Sequence, residues 1–256
     1  MRGQNLRPNQ FARMKEYVTK AWSWGRSKKR CKILKNGENP YLDEASAIVA
    51  ATPHWDDFFS LPTEKRDWVK TFDKYCNKLS VKYAWACPDE RAIRIIKQFS
   101  PLVEIGAGRG YWAAMLQNAG ADVLPFDKFV AKRSLNWCNV DKGGPEVIDI
   151  MNKSPLPSRN LFLCYPDEDE SIAVQCLEKY KGEYIIHVGE LAISDTKAGA
   201  PQAPFGRTSS AEFQCKLQAS YHCLLVMELQ MRLPYSKDCL TVWKRTDYVE
   251  GKDEIV

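Results

Sequence analysis

The chain has 256 residues, of which 45% are hydrophobic and 27% charged, a composition typical of a folded globular protein. This length fits one domain with an extension, or two small domains. No apolar run reaches the roughly 18 residues of a membrane-spanning helix, and the amino terminus has no signal-type apolar core. We therefore expect a cytoplasmic protein that is not membrane-bound. Mitochondrial import is the alternative, because arginines precede the first acidic residue, Glu16.

Positive charge is concentrated at the amino terminus. The net charge is +5, yet residues 1–40 alone hold eleven Lys and Arg against two Glu, which leaves the rest of the chain mildly acidic. A basic extension on an acidic domain predicts an anionic partner, with RNA as the first candidate. A solvated tail that serves solubility is the alternative.

Nine cysteines are scattered along the chain without a Cys-x-x-Cys pair, which indicates free thiols in a reducing compartment. Cys215, His222 and Cys223 come nearest to a metal cluster. They lack the paired short spacings of zinc sites, so we predict no metal. Core packing is the expected role of most of these cysteines.

Residues 1–80 are predicted to be a basic, mainly helical extension. Apolar residues recur at helical spacing over 11–22, and a basic cluster follows at 26–32. Further helices are expected at 42–51 and from Pro62 through position 76. The aromatic residues next to the basic cluster would stack on bases while the charges hold phosphates, or else pack on the main domain.

A helix start precedes the first strand. Pro88 is followed by Asp89 and Glu90, a typical first turn, and the helix leads straight into the next strand, so the two run antiparallel. The start of the helix therefore lies at the same edge as the end of that strand. Tyr83, Trp85 and Pro88 are candidate walls of a pocket at this edge, with core packing of the two aromatics as the alternative.

The most informative stretch is a strand, a tight turn and a helix. An apolar run at 102–105 breaks into three glycines at alternate positions, Gly106, Gly108 and Gly110, and helical spacing resumes over 112–116. Glycines let the backbone turn sharply and approach a ligand closely. The helix that follows presents free N–H groups and a positive dipole end to that ligand.

Two carboxylates accompany the turn. Glu104 stands two positions before the first glycine, and Asp127 closes the apolar segment 121–126, where a carboxylate can accept both hydroxyls of a ribose. The stretch resembles the first motif of class I S-adenosylmethionine-dependent methyltransferases, and the block 83–92 resembles the segment before that motif in a poorly characterised methyltransferase-like subgroup. A dinucleotide fingerprint would place its third glycine at Tyr111 instead.

The resemblance implies a Rossmann-like α/β fold over residues 81–256, with a seven-stranded, mostly parallel sheet that ends in a β-hairpin. The alternation of strands and helices independently predicts a parallel sheet covered on both faces. Beyond the second strand, further strands are expected around 137–140, 161–164 and 183–190, and the hairpin at 223–229 and 240–244.

The resemblance also implies S-adenosylmethionine as cofactor. Glu104 is expected at its methionine end, and Asp127 at its ribose. The family's Gly-Asp pair after the third strand is replaced by residues 143–145, Gly-Gly-Pro, which leaves backbone groups or another acid to hold the adenine; Asn139 and Asp141 are the nearest polar candidates. The expected cofactor contacts are Glu104, Gly106, Ala107, Gly108, Gly110, Asp127, Lys128, Gly144 and Cys164.

The fourth strand ends where amino-group methyltransferases carry Asp/Asn-Pro-Pro-Tyr/Phe. Here Tyr165, Pro166, Asp167 and Glu168 occupy the slot, so the first amide or acid is lost and the aromatic has moved. We predict that Tyr165 packs on the acceptor beside Pro166, and that Asp167 or Glu168 orients or deprotonates it. An acidic start of the helix 172–180 is the alternative.

Later segments add candidates for acceptor binding. Glu190 ends the fifth strand at the same edge, whereas His187 lies mid-strand among apolar neighbours and is expected in the core. The Gly- and Pro-rich stretch 198–210 predicts a mobile loop, and a capping box at Ser209 starts the next helix. The expected acceptor-binding residues are Tyr83, Trp85, Glu190 and Arg207.

Together these patterns predict methyl transfer from S-adenosylmethionine to an acceptor, with RNA favoured over protein or a small molecule. Because the sulfonium is already activated, the protein mainly has to align the reactants and exclude water. The alternative is a catalytically inactive, methyltransferase-like binding or ribonucleoprotein assembly factor, favoured by the departures at 143–145 and 165–168. An NAD-type oxidoreductase ranks last, because no dehydrogenase acid–base constellation is present.

Overall fold

The computed structural model describes residues 31–51, 62, 64, 68–153, 158–167, 171–191, 208–232, 236 and 238–247. The predicted helix at 11–22, most of the basic cluster at 26–32, Glu168 and Arg207 lie outside these ranges. None of the helices within them combines the length and hydrophobicity needed to cross a bilayer.

Helices and strands alternate along the described chain. Before the sheet come α1 (Pro40–Ala50), α2 (Trp68–Lys82) and α3 (Glu90–Lys97). The sheet and its covering helices follow in the order β1 (Leu102–Ile105), α4 (Tyr111–Asn118), β2 (Val123–Asp127), β3 (Asp141–Lys142), α5 (Glu146–Asn152), β4 (Asn160–Cys164), α6 (Ile172–Lys179), β5 (Tyr184–Gly189), α7 (Ala211–Ser220), β6 (Tyr221–Glu228) and β7 (Cys239–Arg245). A short 3₁₀ turn, Arg133–Leu135, lies between β2 and β3.

One seven-stranded sheet holds these elements together, in the order β3-β2-β1-β4-β5-β7-β6. The first five strands pair in parallel, while β7 runs antiparallel to both β5 and β6. The predicted mostly parallel sheet with a terminal hairpin is confirmed. Parallel pairing brings the carboxyl ends of β1, β2, β4 and β5 to one edge, where open α/β sheets bind ligands.

Both faces of the sheet are covered, as its parallel pairing requires. All four residues of β1 are buried. Leu102 packs with α3 and α4 on one face, and Val103 packs with α5, α6 and α7 on the other. Trp112 is fully buried on the first face, and its indole N–H donates to Ala86 O at 3.0 Å.

The start of α3 agrees with the sequence. Asp89 is the N-cap residue, and its Oδ1 accepts from the N–H of Ala92 at 2.9 Å. Its Oδ2 accepts from the N–H of Gln230 at 2.8 Å, beyond the end of β6. One buried carboxylate therefore both starts the helix and ties it to the terminal hairpin.

Two local predictions are wrong. The third strand is not at 137–140, because Trp137 makes other contacts: its backbone N–H donates to Arg109 O at 2.8 Å and its ring stacks on Tyr83 with centroids 5.2 Å apart. Pairing with β2 begins only at Asp141, opposite Phe126.

The second error concerns the start of α7. Ser210, not Ser209, is the N-cap, and its Oγ accepts from the N–H of Phe213 at 3.3 Å. Ser209 instead accepts through its Oγ from the side-chain amide of Gln214 at 3.2 Å. The capping-box spacing favours Ser209, because Glu212 stands three positions after it, but in the structure Ser209 binds the side chain of Gln214 and the cap falls one residue later.

The segment 31–51 packs on the main domain. The N–H of Lys32 donates to Asn136 O at 2.8 Å. Farther along, the side-chain oxygen of Asn39 accepts from the Tyr111 hydroxyl at 2.9 Å, at the first residue of α4. This part of the predicted extension therefore lies against the glycine-turn helix. The division predicted at residue 80 stays a prediction.

Candidate functional site

The glycine turn has two open positions and one packed position. Gly106 and Gly108 have φ angles of 82° and 56°, and a Cβ placed on either would meet nothing within 4 Å. Gly110, with φ 71°, begins α4, and a Cβ there would lie 2.5 Å from the sulfur of Cys138. The first two glycines therefore border open space, whereas the third permits close packing of the helix start.

Asp127 fixes this turn to the end of β2. Its Oδ2 accepts from the N–H of Gly108, and its Oδ1 accepts from the N–H of Phe129, both at 2.7 Å. The N–H groups of Gly106 and Ala107 both donate to the carbonyl of Phe126 at 2.9 Å. Each carboxylate oxygen keeps a second lone pair. Asp127 can thus hold the turn and still accept a ligand hydroxyl.

Glu104 is the most unusual residue at this edge. It lies on β1, between β2 and β4, and is only 2% exposed. Among the residues that the structure describes, its Oε2 finds no hydrogen-bond partner. Burial, and secondarily the charge of Asp127, raise the pKa of Glu104 to about 8. A buried carboxylate without a partner is costly, so this oxygen fits a cationic ligand group.

The turn between β3 and α5 is built for packing. The N–H of Gly143 donates to Asp127 O at 3.0 Å, and a Cβ on Gly143 would lie 2.5 Å from a Val147 methyl group. The N–H of Gly144 donates to the Glu146 carboxylate at 2.8 Å. The two glycines thus bring this turn against the end of β2. The prediction that Gly144 contacts a cofactor stays a prediction.

At the end of β4, Tyr165 adopts a φ of 52°, an uncommon conformation for a bulky residue. Its N–H donates to Val188 O at 2.9 Å, and its hydroxyl donates to Asp238 Oδ1. Burial raises the pKa of Asp238 to about 6 and the pKa of Tyr165 well above its usual value. Asp238 was missed from the sequence, because no local pattern links it to a tyrosine on β4.

Of the predicted aromatic walls, Trp85 is the one at the surface. It is 54% exposed and lies nearly parallel to Tyr165, with ring centroids 6.3 Å apart. Tyr83 is a core residue that stacks on Tyr41 at 4.9 Å and donates its hydroxyl to Glu44 at 2.7 Å. The rings of Trp85 and Tyr165 therefore mark the β4 side of the edge.

The remaining candidates divide between buried and exposed positions. Glu190 is buried after β5, where its backbone N–H donates to the Thr208 hydroxyl at 2.9 Å. Pro166, two residues after the end of β4, is buried, whereas Asp167 is exposed. Burial raises the pKa of the Cys164 thiol well above its usual value.

Lys128 and His187 differ in exposure, and no metal-ligand cluster accompanies them in the described ranges. Lys128 is exposed, with its ammonium 5.2 Å from the ring centroid of Phe129. His187 is fully buried, neither ring nitrogen has a partner among the described residues, and burial lowers its pKa to about 3, as expected of a core histidine. Among the described residues, no three His, Cys, Asp or Glu side chains come together as metal ligands would.

The open glycine turn thus lies at the carboxyl edge of a sheet with the strand count, parallel pairing and terminal hairpin that the resemblance implied. The chain has the class I methyltransferase fold. No protein-family model matches it, and no curated protein does.

Three methyltransferases serve as examples of solved structures that are similar to this chain. One from Aquifex aeolicus shares 18% identity over 67% of this chain and 96% of its own, with a TM-score of 0.36. Human N-acetylserotonin methyltransferase shares 12% identity over 93% of this chain and 68% of its own, with a TM-score of 0.36. An N-methyltransferase from Bradyrhizobium japonicum shares 10% identity over 61% of this chain and 85% of its own, with a TM-score of 0.38. Likenesses this distant say nothing about activity.

Proposed function

We propose that this protein is an S-adenosylmethionine-dependent methyltransferase. The observation that carries the proposal is the buried carboxyl group of Glu104, whose Oε2 has no partner among the described residues, beside the open turn at Gly106 and Gly108. The ammonium group at the methionine end of the cofactor would give Glu104 its missing partner. Asp127, with its free lone pairs, would accept the ribose hydroxyls.

The bound cofactor supplies an activated methyl group on a sulfonium. The chain's own residues then have to place an acceptor in line with it and exclude water. Trp85 and Tyr165 would wall the acceptor side, with the tyrosine ring held by Asp238. Asp167, exposed after β4, would take the proton that the acceptor loses.

RNA is the proposed acceptor. The basic amino-terminal region favours a polyanion, and its described part begins against the loop that follows β2. Methyl transfer to a protein or to a small molecule, and not to RNA, would contradict this choice of acceptor.

A catalytically inactive assembly factor is the second candidate. Its support is at the end of β4, where the Tyr165 hydroxyl donates to Asp238 and Asp167 is exposed, so the described part of the slot has no buried counterpart of the amino-group enzymes' amide or acid. Against it, a protein that binds no cofactor would gain nothing from burying Glu104 without a partner.

Calorimetric titration of the full chain with S-adenosylmethionine, S-adenosylhomocysteine and NAD tests the proposal. Micromolar binding of the first two, and none of NAD, is expected. Absence of binding by all three would overturn the proposal in favour of the assembly factor. With binding established, transfer of a labelled methyl group to RNA, protein or metabolite fractions identifies the acceptor, with the Glu104→Gln variant as background.

A further inference from the structure

Cations and an exposed aromatic ring crowd the loop that follows Asp127. Phe129 is 76% exposed, although large apolar side chains are usually buried. Lys128 stands over its ring, and Lys132 and Arg133 follow in the same loop. Alternating cations and exposed rings are typical of surfaces that bind single-stranded nucleic acid.

The amino-terminal segment adds cations to this surface. The backbone of Lys32 is bonded to Asn136, and its ammonium lies 4.6 Å from the ring centroid of Trp137. Burial lowers the pKa of Lys32, and the nearby charges of Arg109 and Lys82 lower it further. We call Lys32, Arg109, Lys128, Lys132 and Arg133 the basic rim.

Contacts connect the basic rim to the acceptor side of the edge. Trp137, which lies under Lys32, stacks on Tyr83. Two residues along the chain, the half-exposed Trp85 stacks on Tyr165 at the end of β4. An exposed ring therefore stands at each end, Phe129 beside β2 and Trp85 beside β4, with cations along the contacts between them. The ends of β2 and β4 are two strand spacings apart, about 10 Å.

Two acidic groups beside this path already have partners. Glu44 pairs with Lys82 and accepts from the Tyr83 hydroxyl, and Asp127 holds two backbone N–H groups. The chain that precedes Cys31 carries nine Lys and Arg against one Glu. Cys31, the first described residue, donates its thiol hydrogen to Cys138 O at 3.1 Å.

We propose that the basic rim binds single-stranded RNA and leads it to Tyr165. Phosphates contact Lys32, Arg109 and Lys132, and unpaired bases stack on Phe129 and Trp85. Single strands are favoured over a duplex because exposed rings stack on splayed bases, whose faces a duplex hides. The inference rests on the proposed function only for the role of this RNA as methyl acceptor.

Fluorescence anisotropy of a labelled single-stranded RNA of about 20 nucleotides, titrated with the full chain over a range of salt concentrations, tests the binding. The test variant is Lys32→Gln/Lys132→Gln. Its control is Lys153→Gln/Lys181→Gln, which removes the same charge from exposed positions that precede β4 and β5, at the opposite edge of the sheet. The test variant should bind at least about tenfold more weakly, with the slope of log K against log salt flatter by about 0.7 per lost contact.

A second pair of variants tests the stacking. Phe129→Ala should lose at least about fivefold in RNA affinity with an unchanged salt slope. Tyr75→Ala, which removes a 47% exposed ring from α2, should change nothing. Either of two results would overturn the inference. One is that both Lys32→Gln/Lys132→Gln and Phe129→Ala bind RNA with wild-type affinity; the other is that the chain binds a duplex more tightly than the single strand.

Titrating the same variants with S-adenosylmethionine separates this inference from the proposed function. All four should keep wild-type cofactor affinity, which shows that the fold is intact. A wild-type chain that binds RNA through the basic rim but no S-adenosylmethionine would sustain this inference and overturn the proposed function.

Discussion

Among the single residues of the site, Glu104 gives the strongest indication of a bound ligand. Most buried carboxylates have hydrogen-bond partners, and the Oε2 of Glu104 has none within the described ranges. Its neighbours on β2 and β4 are Pro125 and Phe162, and neither side chain can donate. Nothing in the described part of the chain supplies this partner, so the position suits a cationic ligand group.

The first prediction replaces this carboxylate by its isosteric amide. Glu104→Gln should weaken S-adenosylmethionine binding at least about tenfold, because a charge-assisted contact to the ammonium is lost. Because ionised Glu104 is the form that binds and its pKa is about 8, wild-type affinity should rise from pH 6 to pH 8, and that of the variant should not. Calorimetry at several pH values measures both, with the exposed Glu90→Gln as control. Equal affinities would contradict the assignment.

The second prediction concerns Asp127, which has two roles. Asp127→Ala removes both the acceptor proposed for the ribose and the bonds that hold Gly108 and Phe129. Cofactor affinity should fall at least about tenfold, since both effects act in the same direction. Asp122→Ala removes an exposed carboxylate that pairs with Arg159 just before β2, and should leave affinity unchanged. Unchanged binding by Asp127→Ala would show that the ribose is held elsewhere.

At the scale of elements, Asp89 joins the chain before β1 to the terminal hairpin. The third prediction is that Asp89→Ala lowers the free energy of unfolding by roughly 2 to 3 kcal/mol, because a helix cap and a buried acceptor for Gln230 are both lost. Urea denaturation measures it. Glu90→Ala, at the adjacent exposed position, should cost less than about 0.5 kcal/mol. Equal costs would mean that the cap carries no special weight.

Some elements could be predicted from the sequence because their signals are local. The run at 102–105, the glycines after it and the Pro88–Glu90 helix start each fit within a few residues, and each is where it was expected. The prediction of the third strand failed because Trp137 contacts Arg109 and Tyr83, which are both distant in sequence. Tertiary packing of one large ring displaced the strand by a few residues.

At the scale of the whole molecule, the site is assembled from parts that no local pattern connects. Tyr165 meets Asp238 from the start of β7 and Trp85 from before β1. The sequence predicts Tyr165 and Trp85 separately, but the sheet order is what brings them together. Asp238 carries no signal in the sequence, because an acid before a strand is common and only its burial distinguishes it.

The last prediction concerns the stability of the cofactor-free molecule. Folding raises the pKa of Glu104 from 4.5 to about 8, so the native state holds a proton that the unfolded state has released. The free energy of unfolding should therefore fall between pH 6.5 and 8, by up to about 1.4 kcal/mol per pH unit. Glu104→Gln should remove this fall, and the exposed Glu178→Gln should keep it. Urea denaturation across this range measures the slopes, and equal slopes in wild type and Glu104→Gln would show that Glu104 is not protonated when buried.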